Sequence, residues 1–149
     1  MHLKLDLALQ FGSFPGASTH RALLRKKAVH GWMESALKHP AQIGVRIVGE
    51  DEARALNLQY RQRDYATNVL TFDYAHDQWV EADLVLCGPV VAREAITQGK
   101  TLEAHYAHLL VHGTLHAQGY DHETSERDAL EMEALEILLL ASLGFRNPY

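Results

Sequence analysis

His112-Gly113-Thr114-Leu115-His116-Ala117-Gln118-Gly119-Tyr120-Asp121-His122 carries three histidines at the spacing of metal ligands. Residues four apart on a helix lie one turn above the other on one face, so His112 and His116 can reach a single ion. Gly119 tolerates the positive φ that ends a helix and reverses the chain. His122 can then swing back as the third ligand. Three imidazoles leave one position of a tetrahedral zinc open, the arrangement of catalytic rather than closed structural sites. One zinc ion per chain is the expectation, although imidazole suits nickel or copper about equally by ligand type.

The rest of the fold has to surround this metal helix, which the pattern places over about Leu102 to Gln118. His105 and His108 continue the column of His112 and His116 at steps of three or four, on one face. A helical histidine on its own is more often a hydrogen-bonded or surface residue. His108 and Asp121 are therefore candidates for supporting a ligand or touching substrate rather than for ligation. On the N-terminal side, Gly88-Pro89 opens a helix through Ile96 that Gly99 closes. Before it come Asn68 to Phe72 and Ala82 to Cys87, read as third and fourth strands, with Tyr74 to Glu81 as their connection. Alternation at Leu3, Leu5, Leu7 and Leu9 predicts a first strand ending near Phe11, and Ile43, Val45 and Ile47 a second. Between these two, Ser18 or Thr19 caps one helix to about Lys38 through Leu23, Leu24, Val29, Trp32, Met33 and Leu37. Asp51 caps a shorter helix through Tyr60. Beyond the metal turn, Ser125 and Asp128 cap a last helix whose wide apolar arc, from Leu130 to Leu140, predicts a core element. The expected fold is α+β: one compact domain over residues 1–149, with a four-stranded sheet and about five helices.

The composition sets further bounds. At 149 residues and 47% hydrophobic content the chain suits one domain. The single Cys87 cannot form an internal disulfide, and no basic segment precedes an apolar run at the N-terminus, so a reducing cytoplasm is expected. Ile137 to Leu143, the densest apolar stretch, falls well short of the roughly 20 residues of a membrane helix. Net charge is -5, but it is unevenly spread: residues 1–63 hold ten Lys and Arg against five Asp and Glu, and residues 64–149 hold four against 14. Local field rather than net charge governs binding, so a basic first half beside the metal could hold a polyanion. The plainer alternative is that Arg21, Arg25, Lys26 and Lys27 solvate an outer helix face.

H-x-x-x-H-x-x-G-x-x-H is also the skeleton of the metzincin proteases, which carry a Glu general base where this chain has Gly113. Without that base, the attacking water relies on the metal, which can lower its pKa to roughly 7, or on a substrate oxygen. Attack on a phosphodiester also needs a cation for the charge that builds on the nonbridging oxygens. Arg61 and Arg63 are the candidates. Arg61 could equally be an exposed residue pairing with helix C-terminal carbonyls.

The run H-G-x-L-H-x-x-G-Y-D-H over residues 112–122 resembles the signature of the YbeY family, bacterial endoribonucleases of ribosomal RNA maturation. Tyr60-Arg61, Thr67-Asn68-Val69-Leu70, Asp83-Leu84-Val85, Glu103-Ala104-His105 with His108, and Glu131-Met132-Glu133-Ala134-Leu135-Glu136 resemble the family too. The resemblance spans roughly residues 43–149, and the first strand and helix match only in kind. Thr71-Phe72-Asp73 stands for the family's usual Ser-Phe-Pro, and Ala82 stands where Gly often precedes Asp83. The resemblance implies a zinc-like metal on His112, His116 and His122, a functional role for Arg61, and a compact domain resembling zincin proteases around the metal helix. It further implies hydrolysis of single-stranded RNA at the 3′ end of small-subunit ribosomal RNA, and ribosome quality control. Ribosome-associated proteins are possible partners, and neither membrane nor DNA is expected. The competing functions are a metallopeptidase and a non-enzymatic ribosome assembly factor with a structural metal.

Overall fold

The computed structural model describes residues 4–120 and 125–149. Its sheet has four strands: β1 (Leu5–Phe11), β2 (Ala41–Val48), β3 (Val69–His76) and β4 (Val80–Cys87), in the order β1-β2-β4-β3. β1, β2 and β4 are parallel, and β3 runs antiparallel to β4 at one edge. Among the described residues six helices are interleaved with them: α1 (Ala17–Leu23), α2 (Lys26–Ser35), α3 (Glu50–Arg61), α4 (Gly88–Thr97), α5 (Leu102–Ala117) and α6 (Glu126–Ser142). No helix of the described residues is long and apolar enough to cross a membrane.

Period-two alternation divides the sheet into two faces. Leu5, Leu7, Ile43, Val45, Ile47, Leu84 and Leu86 are buried in one core with Val29, Trp32 and Met33 of α2 and with Tyr106, Leu110 and Leu115 of α5. α5 is the central helix of that core, since it touches α2, α4, α6, β3 and β4. On the other face Ala53 of α3 joins a small cluster with Val48 and Cys87. α5 is therefore packed by neighbouring elements along most of its surface.

Several expectations need correction. The predicted helix from Ser18 to Lys38 is two helices, with Arg25 in extended conformation between them. In one continuous helix Leu24 would point about 180° away from Met33. The break lets both side chains enter the core, where Leu24 is 2% and Met33 0% exposed. Neither Ser18 nor Thr19 caps α1: Gly16 does so at φ 84° without a side-chain bond. Gly49, not Asp51, is the N-cap of α3; Asp51 sits in its first turn with Glu50 and Glu52, where acidic groups suit the helix dipole. β3 and β4 are longer than predicted, so only residues 77–79 connect them, and β3 accommodates the longer hairpin through a bulge between Asp73 and Ala75. α6 joins the core on one side only. It buries Met132, Glu136 and Leu140 and packs Leu135 and Leu139 against the core, but leaves Leu130 and Leu138 exposed. Ser125 caps it as expected, accepting from the Asp128 N–H.

Candidate active site

α5 begins at Thr101, whose side chain accepts from the Ala104 N–H, and ends where Gly119 takes φ 98°. Gln118 ties that end to α2: its amide donates to the Ala36 carbonyl at 2.7 Å and its oxygen accepts from the Lys38 N–H at 2.7 Å. Along the helix the rings of His108, His112 and His116 follow one another at centroid separations of 6.3 and 6.1 Å. His122 and Asp121 lie outside the described residues. Among the described residues no three His, Cys, Asp or Glu side chains are grouped to hold a metal, so His112 and His116 are the two sequence-predicted ligands the structure brings together.

Behind them stands Glu136 of α6, 1% exposed. His112 Nδ1 lies 3.2 Å from its Oε2, and His108 Nε2 lies 2.7 Å from its Oε1. The Tyr149 hydroxyl donates to Oε1 at 2.9 Å. Burial opposes the carboxylate's charge, but the bonds from His108, His112 and Tyr149 outweigh burial and hold its pKa down at about 2. An ionised carboxylate only accepts. Both histidines therefore donate to it, and with Nδ1 of His112 turned to the carboxylate, Nε2 is the nitrogen through which that ring would ligate a metal. A carboxylate behind a ligand histidine is the usual arrangement. The donor set thus fits a transition metal. His108 and His112 thus share one carboxylate.

One turn earlier, buried His105 is bound by Glu94 of α4 at 2.9 Å, and Asn68 donates to the same carboxylate at 3.1 Å. Burial pulls the His105 pKa down against the pull of Glu94. These bonds fasten α4 and the start of β3 to the helix. Sequence patterns pointed to none of Glu94, Glu136 or Gln118 as functional. The signal for Glu136 was present, since a lone acid recurs at i+4 between Met132 and Leu140 on the stripe that α6 buries.

The histidines open into a cleft of about 750 Å³. Its lining includes His108, His112, His116 and Tyr149 on one side, and Tyr60, Arg61 and residues 67–74 on the other. Arg61 closes α3, and Gln62 reverses the chain directly after it at φ 55°. Arg61 is exposed and is the cleft's one cation among the described residues. Arg63 does not line the cleft, and neither do Arg21, Arg25, Lys26 or Lys27, which are exposed on α1, on α2 and at the junction between them. The basic cluster lies on exposed surface outside the cleft.

Gly113 has a packing reason. A Cβ there would stand 2.9 Å from Leu84 Cδ1, so the missing side chain lets α5 approach β4 closely. The position where a metzincin carries its base faces the core here, away from the histidine column. Gly113→Glu is expected to overpack the core and bury a carboxylate, destabilising the chain by about 3 kcal/mol and lowering the melting temperature by roughly 6–12 °C. An unchanged thermal melt would contradict this packing.

The profile of the endoribonuclease YbeY family matches residues 17–144. An endoribonuclease YbeY of Polaromonas sp. strain JS666 is 70% identical over 98% of this chain and 95% of its own length. One of Polaromonas naphthalenivorans is 66% identical over 97% and 96%. The likeness thus reaches well before residue 43, where the motifs alone began to show it. In fold, the chain is similar to the solution structure of TM1509 from Thermotoga maritima, with a TM-score of 0.57 and 24% identity over 92% of this chain and 91% of that one.

Proposed function

Because this chain belongs to the family of the endoribonuclease YbeY, we propose that it hydrolyses single-stranded RNA with the help of a metal on His112, His116 and His122. One zinc ion, or another divalent transition metal, is held by these three imidazoles. When bound, it supplies the Lewis acidity that activates water near neutral pH. The chain's own groups do the rest. Glu136 fixes the tautomer of His112, and Arg61 binds the nonbridging oxygens of the scissile phosphate and offsets the charge that builds there. The observation that carries the reading is that Arg61 and the two histidines face one cleft. Hydrolysis of peptides lacks a general base, since Gly113 is packed against Leu84. Small-subunit ribosomal RNA at its 3′ end is the proposed substrate, in the bacterial cytoplasm and in contact with the small ribosomal subunit.

An assembly factor with a purely structural metal makes a different prediction, because its fold would depend on the ion. The core of Leu84, Leu110, Leu115 and Met33 involves no ligand residue, so the stripped chain should stay folded. Chelation is expected to abolish RNA cleavage while circular dichroism and a cooperative melt persist. Unfolding on chelation would favour the structural metal.

A further inference from the structure

The cleft has an aromatic wall that hydrolysis itself does not use. Tyr60, next to Arg61 on α3, is 55% exposed, and Tyr74 of β3 is 64% exposed. Between them Phe72 meets the Tyr60 ring edge-on, with centroids 5.1 Å apart. The bulge between Asp73 and Ala75 leaves Tyr74 without a partner residue in the β3–β4 register, and its hydroxyl donates to Asp83 Oδ2 at 2.9 Å. That bond anchors the phenol at its polar end although the ring stands in solvent. The three rings line both the histidine cleft and an adjoining hollow of about 480 Å³ on the outer face of the sheet. Gly44 keeps the floor of that hollow low, for a Cβ there would stand 2.5 Å from Asp83 Oδ1. The hollow's one cation among the described residues, Arg46, is paired with Glu52. It therefore suits a flat, uncharged group better than a second phosphate.

We propose that Tyr60, Phe72 and Tyr74 form a nucleobase subsite, on which the base beside the phosphate bound by Arg61 stacks. This rests on the RNA-cleavage reading above. Every base has a π-face, so such a site tolerates any sequence, but only a base outside a helix can reach it. The ledge would thus select unpaired strands.

The test is fluorescence anisotropy of a labelled single-stranded RNA decamer with the chelated chain, which binds without cutting. Tyr60→Leu/Tyr74→Leu is expected to weaken binding by about 10-fold or more, and Tyr60→Trp to retain it. A decamer abasic at every position should bind the parent more weakly by a similar factor and cost the double variant little further. The parent half of that comparison needs no variant. Equal affinity of parent and double variant, or equal affinity of the parent for the intact and the abasic strand, would overturn the subsite. A parent chain that binds no RNA would instead overturn the RNA reading itself, and the subsite with it.

Discussion

Arg61→Glu is expected to lower cleavage of single-stranded RNA by roughly 10²–10³-fold or more, with metal content and melting temperature unchanged. Arg61 is the one cation lining the cleft among the described residues, and it is exposed at the end of α3, where no packing depends on it. Removing one group that stabilises transition-state charge costs about that factor, and a carboxylate adds repulsion against the phosphate. Substitutions at exposed positions usually change stability by less than about 0.5 kcal/mol. Arg61→Lys should fall between, because it keeps the charge but loses the planar fork that matches a phosphate. Single-turnover cleavage, metal analysis and a thermal melt on the same samples check all three. Full cleavage by Arg61→Glu would remove this residue from the mechanism.

The second large effect is expected at Glu136. Its carboxylate accepts from His108, His112 and Tyr149 in a site that is 1% exposed. Glu136→Ala strips the acceptor from three donors at once, and breaking a buried charged network of this kind costs about 3–5 kcal/mol. It also frees His112 to rotate or change tautomer, so metal affinity should fall about 10–100-fold. Glu136→Gln keeps the shape but turns an N–H toward a donor, and should fall between the two. Denaturant unfolding of the chelated chain and metal titration against a competing chelator separate the two effects. Unchanged metal affinity in Glu136→Ala would show that the carboxylate serves the fold alone.

Most of the architecture could be read from residue patterns. Val45 and Ile47 alternate with polar or small neighbours because one sheet face is buried, and Gly119 marks a reversal because φ 98° suits little else. The helix break after Leu23 was hidden. Each half keeps helical spacing, and only the direction in which Leu24 must point, set by β-sheet packing far away in sequence, separates them. The ends of β3 and β4 were hidden for a similar reason: Tyr74 to Glu81 looks polar, and pairing across the hairpin rather than propensity makes it strand.

The site divides in the same way. His112 and His116 are local, four apart on one helix, so spacing places them together. Glu136 arrives from another helix, and no local pattern joins it to His112 across 24 positions. Gly113 was visible as an oddity inside a helix, where glycine costs about 1 kcal/mol relative to alanine. Its explanation, the methyl of Leu84 beneath it, required the sheet.

The central claim is that a metal on the His112 to His122 stretch cuts unpaired RNA. It is tested most directly by assaying the metal-loaded parent and His116→Ala side by side on a single-stranded RNA and its duplex. The parent should cut the single strand, spare the duplex, lose activity on chelation and regain it on reloading, while His116→Ala stays inactive throughout. Equal cleavage by parent and His116→Ala, unaffected by chelation, would contradict it.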